Sequence, residues 1–134
     1  MSNEKPSMRP EDAIKQADMA FRTGDWATAA KFCRITLSDS PNHFFALTML
    51  GIIAAQSGES AEAEAFFGRA VQANPHNALA HTNFGNALLQ SDKPEEALRS
   101  HDRAIAINPG YAEAHNNRGQ ALQKLGHVDA AIES

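Results

Sequence analysis

Apolar residues recur every three or four positions along most of the chain, and polar residues fill the positions between them. The first such block contains Ile14, Ala17 and Phe21. This spacing places the apolar side chains on one face of an α-helix. No segment alternates apolar and polar residues over a useful length, as a half-buried strand would. The pattern therefore predicts helices throughout and no β-sheet.

Glycine and proline residues divide this pattern into short helices. Pro10 stands where a first helix can begin, because the first helical turn tolerates a missing N–H, and Gly24 stands where it ends. Asp25 can cap the second helix, which ends before Pro41. Later breaks are predicted at Gly58, Pro75, Ser91–Asp92, Pro109 and Gly126. We therefore expect pairs of antiparallel helices joined by short turns.

Proline, glycine and alanine recur at a constant spacing of about 34 residues, which we call the repeat interval. The columns are Pro41, Pro75 and Pro109; Gly51, Gly85 and Gly119; and Ala29, Ala63, Ala97 and Ala131. Such a period is the signature of helical hairpins that stack into a solenoid. Small residues such as Gly85 and Ala97 let neighbouring helices approach closely, and larger ones would force them apart. The predicted units are 10–43, 44–77, 78–111 and a truncated 112–134, after a flexible polar tail over 1–9.

These columns resemble the tetratricopeptide repeat. The matching residues are Leu47, Leu50, Gly51, Ala63, Phe67, Ala70 and Pro75 in the unit at 44, and His81, Phe84, Gly85, Ala97, His101, Ala104 and Pro109 in the unit at 78. The resemblance covers nearly all of the chain after residue 9. It implies an all-α fold, a right-handed superhelix (α-solenoid) of antiparallel helix–turn–helix hairpins. It also implies a concave groove, formed by the first helix of each hairpin, that binds a protein or peptide partner.

The two end units depart from the family pattern. Ala17 and Cys33 replace the usual glycine and aromatic residue in the first unit, which is expected to cap the stack. Arg118 replaces a large apolar residue in the fourth unit, where its stem can still pack. The fourth unit stops at Ser134 before its second helix is complete. We therefore expect more repeats or a catalytic domain downstream, or an open end that self-associates.

Amide side chains recur on the first helices of the third and fourth units. Asn83 and Asn117 are one repeat interval apart, as are Asn86 and Gln120. Residues three apart share a helix face, and helix packing does not require amides there. Because an amide is both donor and acceptor, a column of them can hold the backbone of an extended peptide. Two hypotheses remain at this point: the amides bind a peptide, or they lie on a solvated face.

The same amides resemble the asparagine ladder of O-GlcNAc transferases and their bacterial relatives, and the segments AHTNFGNAL and AHNNRGQAL carry that resemblance. In the second unit the matching residues are Met49 and Ile52, which are either core or an apolar anchor for a partner. The predicted partner-binding residues of the concave face are Thr48, Met49, Ile52, Asn83, Asn86, Gln90, Asn117, Gln120, Gln123 and Lys124.

Histidine and cysteine residues do not form a recognisable catalytic or metal-binding motif. His81, His101 and His115 occupy columns of packing aromatics, and no nearby acidic or cysteine residue completes a tetrahedral ligand set. Cys33 takes the place of an aromatic residue and is predicted to be a buried, inert thiol. Nucleophile-elbow, P-loop and dinucleotide-binding glycine patterns do not occur. The sequence therefore predicts no cofactor, no metal and no catalytic residue.

Composition narrows the class of partner. The net charge is −4 and no run of basic residues occurs, so nucleic acid is not an expected partner. No apolar stretch reaches the length of a membrane span or a signal peptide, and a single cysteine fits a reducing cytoplasm. The leading hypothesis is a non-catalytic, cytoplasmic protein-interaction scaffold. The alternative is the N-terminal, substrate-targeting region of a larger enzyme, such as a SPINDLY-type glycosyltransferase similar to O-GlcNAc transferase.

Overall fold

The computed structural model describes the backbone of residues 8–133 and the side chains of residues 8–126. This part of the chain forms seven α-helices and no β-strand, which confirms the all-α prediction. The helices are α1 (Pro10–Arg22), α2 (Trp26–Asp39), α3 (Phe44–Gln56), α4 (Ser60–Ala73), α5 (Ala78–Gln90), α6 (Pro94–Ile107) and α7 (Ala112–Glu133). None of these helices is long and apolar enough to cross a membrane.

Each helix packs against the next one in the chain, so the helices form a stack of hairpins. The pairs α1–α2, α3–α4 and α5–α6 make the most extensive contacts, and α7 packs on α6. Across the stack, α1 also contacts α3, and α5 contacts α7. Among the described residues, the even-numbered helices make no comparable contact with one another. The stack therefore curves, with the odd-numbered helices on its concave side and the even-numbered helices on its convex side.

The turn inside each hairpin uses a residue with positive φ. Gly24 and Gly58 have φ values of 80° and 76°, and Asp92 holds the same place in the third hairpin at 61°. Glycine adopts this conformation at little cost, and aspartate tolerates it better than most residues. The Asp25 carboxylate accepts a hydrogen bond from the Thr28 N–H at 3.2 Å. The predicted cap of the second helix is thus confirmed.

Two further caps were not anticipated from the sequence. His43 Nδ1 accepts from the Ala46 N–H at 3.3 Å, and Asn77 Oδ1 accepts from the Ala80 N–H at 2.9 Å. These side chains satisfy amides at the start of α3 and α5 that have no partner within their helices. His43 and Asn77 lie one repeat interval apart, immediately before their helices, and this spacing was the signal that could have identified them.

The predicted helix break at Gly126 is wrong. Gly126 lies in the column of Gly24, Gly58 and Asp92, but α7 continues through it to Glu133. In the complete hairpins, a second helix of 14 residues packs back on the first and holds the turn. The backbone after Gly126 instead continues the helical hydrogen bonding of α7. The predicted self-association of this end involves side chains that lie outside the described residues.

The core is built mainly from alanine, with aromatic rings lying over glycines. A Cβ atom on Gly51 would lie 2.5 Å from Cε1 of Phe67, and one on Gly85 would lie 2.6 Å from Cε1 of His101. Real Cβ atoms do not approach other atoms so closely. From the sequence, the small size of Gly85 is expected to allow two helix backbones to approach closely. The structure shows a more specific reason, which is the ring from the second helix of the same hairpin.

Candidate functional site

The concave surface has an apolar end, which we define as Ile14, Phe45 and Met49. These three residues line a groove between α1 and α3, and Lys15, Asp18 and Arg22 line the same groove from the α1 side. The Asp18 carboxylate and the Arg22 guanidinium pair with each other at 3.1 Å. The groove therefore combines an apolar floor with a rim of two cations and one anion, in which Arg22 is paired with Asp18.

Met49 belongs mainly to the core and reaches the groove only with its edge. Its side chain is 8% exposed, and its sulfur lies 3.4 Å from the sulfur of Cys33. Ile52 is half-buried against a core cluster formed by Ala54, Ala63, Phe67 and Ala87. Thr48 is half-buried as well, and its hydroxyl has no hydrogen-bond partner within the described residues. These predicted anchors are thus more deeply set than the sequence analysis assumed.

Phe45 and Leu79 are exposed apolar residues that the sequence-based prediction of the site did not include. Phe45 is 67% exposed and Leu79 is 47% exposed. They lie one repeat interval apart, each at the second position of its helix. Large apolar side chains recur at this column although packing does not require them there. This recurrence was the signal in the sequence that could have identified them. The structure adds Phe45 to the candidate site because it lines the same groove as Met49.

The amide end of the concave surface is defined by Asn83, Asn86, Asn117 and Gln120. The three asparagines are half-buried and Gln120 is exposed. Within the described residues, none of these four amides makes a side-chain hydrogen bond to the rest of the chain. Their donors and acceptors are therefore free for an external partner. The remaining predicted residues of this end, Gln90, Gln123 and Lys124, are all exposed.

Two histidines each form a hydrogen bond to the turn that precedes their own helix. His81 Nε2 lies 2.7 Å from the carbonyl oxygen of Pro75, and His115 Nε2 lies 2.8 Å from that of Pro109. Because a carbonyl can only accept, each Nε2 carries a proton and donates it. His81 is buried as predicted, but His115 is exposed, so its prediction as a buried packing residue was wrong. No following hairpin covers that face of α7 in the described structure.

Cys33 is fully buried, and burial raises the pKa of its thiol to about 11. At neutral pH it is therefore a protonated thiol that donates weakly toward the Met49 sulfur. Within the described residues, no group of three or more His, Cys, Asp or Glu side chains is placed to hold a metal ion.

Comparison with known proteins agrees with this architecture. A family model described as TPR repeat matches residues 85–126, and one described as tetratricopeptide repeat matches residues 54–100. The curated protein sequences gave no match. The fold thus defines a helical-repeat protein with a concave surface. The chain belongs to the tetratricopeptide repeat family.

Solved structures of the same fold include several from this family. The first tetratricopeptide domain of Spaghetti (RPAP3), bound to the HSP90 peptide SRMEEVD, has a TM-score of 0.83 and 21% identity, covering 93% of this chain and 99% of that one. A mutant O-GlcNAc transferase of Thermobaculum terrenum has a TM-score of 0.76 and 30% identity. The match covers 84% of this chain and 22% of the transferase chain. MamA has a TM-score of 0.82 and 27% identity, and the match covers 92% of this chain and 68% of the MamA chain. This chain therefore spans about a fifth of the transferase chain.

Proposed function

We propose that the chain is a non-catalytic interaction module that binds an extended segment of a partner protein along its concave groove. Tetratricopeptide repeats are generally binding modules, and the similar RPAP3 domain was solved with a peptide bound. The observation that carries the proposal is the amide end, where four amides present unused donors and acceptors in a periodic array.

The proposed contacts follow from the chemistry of the two ends. Asn83 and Asn86 lie one turn apart on α5, and Asn117 and Gln120 repeat that spacing on α7. An amide can donate to a peptide carbonyl and accept from a peptide N–H, so it recognises backbone whatever the side chains are. The apolar end would add selectivity by receiving one uncharged side chain beside Phe45.

Charge argues against a strongly acidic partner segment in this groove. The peptide bound by the RPAP3 domain, SRMEEVD, carries three acidic side chains. Here the positive charge of Arg22 is already paired with Asp18, and Lys15 is the other cation that lines the apolar end. Lys124 lies 4.0 Å from the Asp92 carboxylate. We infer that the preferred segment in this groove carries few acidic side chains.

A second candidate function rests on the similarity to O-GlcNAc transferase. At 30% identity over 84% of this chain, the repeats match a region that forms 22% of that enzyme. A groove of the same chemistry would then present substrates to a catalytic domain. Both candidates require the amides to contact a protein segment, and they differ in what the rest of the polypeptide does. The length of the native open reading frame distinguishes them.

The amide contacts are tested by replacing Asn83, Asn86 and Asn117 together with alanine. Peptides are first selected from a random display library on the wild-type chain, and their affinities for both proteins are then measured by calorimetry. A net hydrogen bond contributes roughly 0.5–1.5 kcal/mol, and 1.4 kcal/mol corresponds to a tenfold change. We therefore expect affinity to fall by roughly 10- to 1000-fold while the melting temperature changes little.

The matched control replaces two exposed glutamines outside the amide end, Gln16 and Gln72, with alanine. This variant should bind the selected peptides as the wild type does. Unchanged affinity in a fully folded triple variant would contradict the proposal and leave the amides as a solvated face. A large loss of stability would instead show that the three asparagines pack the stack.

A further inference from the structure

The third hairpin lacks an aromatic side chain that the first two possess. Phe32 on α2 and Phe66 on α4 occupy the same column. Both pack against the core cluster that contains Ala29, Cys33 and Leu50. Ser100 stands in that column on α6, one repeat interval after Phe66. Ser100 is 7% exposed, so it lies at the base of the position that the ring fills elsewhere. The hairpin therefore has a vacancy where its neighbours have a ring.

The vacancy forms a notch of about 180 Å³ on the convex side of the stack. Val71 of α4 and Phe84 and Leu88 of α5 give it apolar walls. Glu96, Arg99 and Arg103 of α6 line its rim, with Ser100 between them. A notch with apolar walls and a polar rim can bury an aromatic anchor of a partner protein.

Arg103 has lost both contacts that hold its counterpart in the second hairpin. That counterpart, Arg69, donates to the carbonyl oxygen of Pro41 at 3.0 Å, and its guanidinium lies 6.0 Å from the centroid of the Phe66 ring. For Arg103 the ring is replaced by Ser100. The equivalent carbonyl, that of Pro75, already accepts from His81 at 2.7 Å.

The rim of the notch is consequently positive and unpaired. Within the part of the chain that the structure describes, neither Arg99 nor Arg103 forms an ion pair. Glu96 supplies one negative charge against these two positive ones. A partner that brings an acceptor to Arg103 restores the contact that Arg69 makes internally. Because guanidinium prefers a carboxylate, charge complementarity favours an acidic residue.

We propose that this notch is a second binding site, for a partner segment in which an aromatic side chain adjoins an aspartate or glutamate. The aromatic ring takes the place that Phe66 occupies in the second hairpin, and the carboxylate accepts from Arg103. The site lies among α4, α5 and α6 and shares no lining residue with the amide end. It is therefore independent of the concave-groove proposal, and one partner chain or two different partners can occupy the two surfaces.

The test uses a capped peptide with the sequence Asp-Phe-Glu in a glycine–serine background, titrated into the ¹⁵N-labelled chain. We expect chemical-shift changes at the amides of Val71, Leu88 and Arg103. Replacing Ser100 by phenylalanine fills the notch with the residue that the first two hairpins use, and should weaken binding at least about tenfold. Ser100→Ala, which leaves the notch open, should retain wild-type binding.

Variants of the peptide and of the arginines distinguish the contact of the aromatic ring with the notch from the contact of the carboxylate with Arg103. Asp-Ala-Glu and Lys-Phe-Lys peptides should both fail to shift the notch amides. The double variant Arg99→Gln with Arg103→Gln should weaken binding of the Asp-Phe-Glu peptide and remove its salt dependence. This variant keeps the test decisive if Ser100→Phe does not fold. The triple amide variant of the concave groove should bind this peptide normally.

Several results would overturn the proposal. One is the absence of shifts at the notch amides at millimolar peptide, and another is equal binding to wild type and a folded Ser100→Phe variant. Equal shifts with the Lys-Phe-Lys peptide would show that the arginines do not select a carboxylate. Shifts at the same amides that follow protein concentration without peptide would identify a second copy of this chain as the occupant instead.

Discussion

His101 is a buried polar residue whose side chain finds no partner. It is fully buried, its ring lies over Gly85, and neither ring nitrogen has a hydrogen-bond partner within the described residues. Burial lowers the pKa of this imidazole from its ordinary value of 6.5, and the carboxylates of Asp102 on α6 and Glu113 on α7 oppose that shift in part. The residue is therefore neutral in the folded chain, with one unused donor and one unused acceptor.

Replacing His101 with phenylalanine should stabilise the protein. Phe67 fills the same column over Gly51, so a phenyl ring fits this environment. A buried unsatisfied polar group costs about 1–3 kcal/mol, and the substitution removes such groups without leaving a cavity. We expect the free energy of unfolding to rise by about 1–2 kcal/mol, measured by urea denaturation at pH 7.5. A lower free energy would indicate that an ordered water satisfies the imidazole.

The same variant should be less sensitive to acid than the wild type. Because the pKa of His101 is lowered on folding, the unfolded chain binds a proton below about pH 6.5 that the folded chain resists. The wild type therefore loses stability as the pH falls from about 7.5 to 5, and the variant lacks this component. The difference in unfolding free energy between the two proteins should widen as the pH falls. A constant difference would show that His101 titrates normally in the folded chain.

At the scale of the helix pair, the glycine column determines how closely the first helix of a hairpin packs against the second helix. A Cβ atom on Gly85 would lie 2.7 Å from Nε2 of the buried His101 ring, whereas no atom of the described residues lies within 4 Å of the equivalent atom on Gly119. Both glycines are inside helices, and both occupy the same column. The two positions therefore form a matched pair in which helix propensity is equal and packing differs.

Substitution by alanine should have opposite effects at these two positions. Gly85→Ala gains up to about 1 kcal/mol of helix propensity but forces the His101 ring and α6 away, which costs about 1–3 kcal/mol or more. Gly119→Ala gains the propensity without the clash and should stabilise α7 by up to about 1 kcal/mol. Chemical denaturation of both variants checks this. Destabilisation by Gly119→Ala would mean that α7 packs against a surface absent from the described contacts.

At the scale of the whole molecule, stability comes from neighbouring helices and not from one central core. The apolar residues form separate clusters along the stack, one centred on Ala29, Cys33 and Leu50 and another on Leu88, Ala97 and Ala121. In such a linear array the middle repeats have neighbours on both sides, and each end repeat has one. Local opening should therefore be easiest at the ends.

Hydrogen exchange should reveal this gradient. We expect amides in α4 and α5 to be protected more strongly than those in α1 and α7 of the 134-residue chain. Mass spectrometry of exchanged peptides, at a concentration where the chain is monomeric, gives the comparison. Equal protection along the stack would indicate that the array unfolds as one cooperative unit. Protection of α7 that rises with protein concentration would reveal self-association through that end.

The sequence alone determined the repeat, because the repeat interval appears directly in the spacing of Pro41, Pro75 and Pro109. Apolar periodicity and the turn residues then determined that the elements are helices and approximately where each complete hairpin begins and ends. These are local properties, and each is set by the preferences of a few adjacent residues. The columns of amides could be placed on one helix face for the same reason, since three residues make nearly one turn.

The tertiary structure decided which side chains are free and which are engaged, since that depends on residues distant in the chain. It placed Met49 against Cys33, exposed Phe45, and carried α7 through Gly126 without a break. It also showed that the Pro75 carbonyl accepts from His81, and that Arg103 forms no ion pair among the described residues beside the space above Ser100. A repeat pattern predicts what equivalent positions share. The differences between repeats become interpretable only when the packed neighbours show which contact each substitution removes.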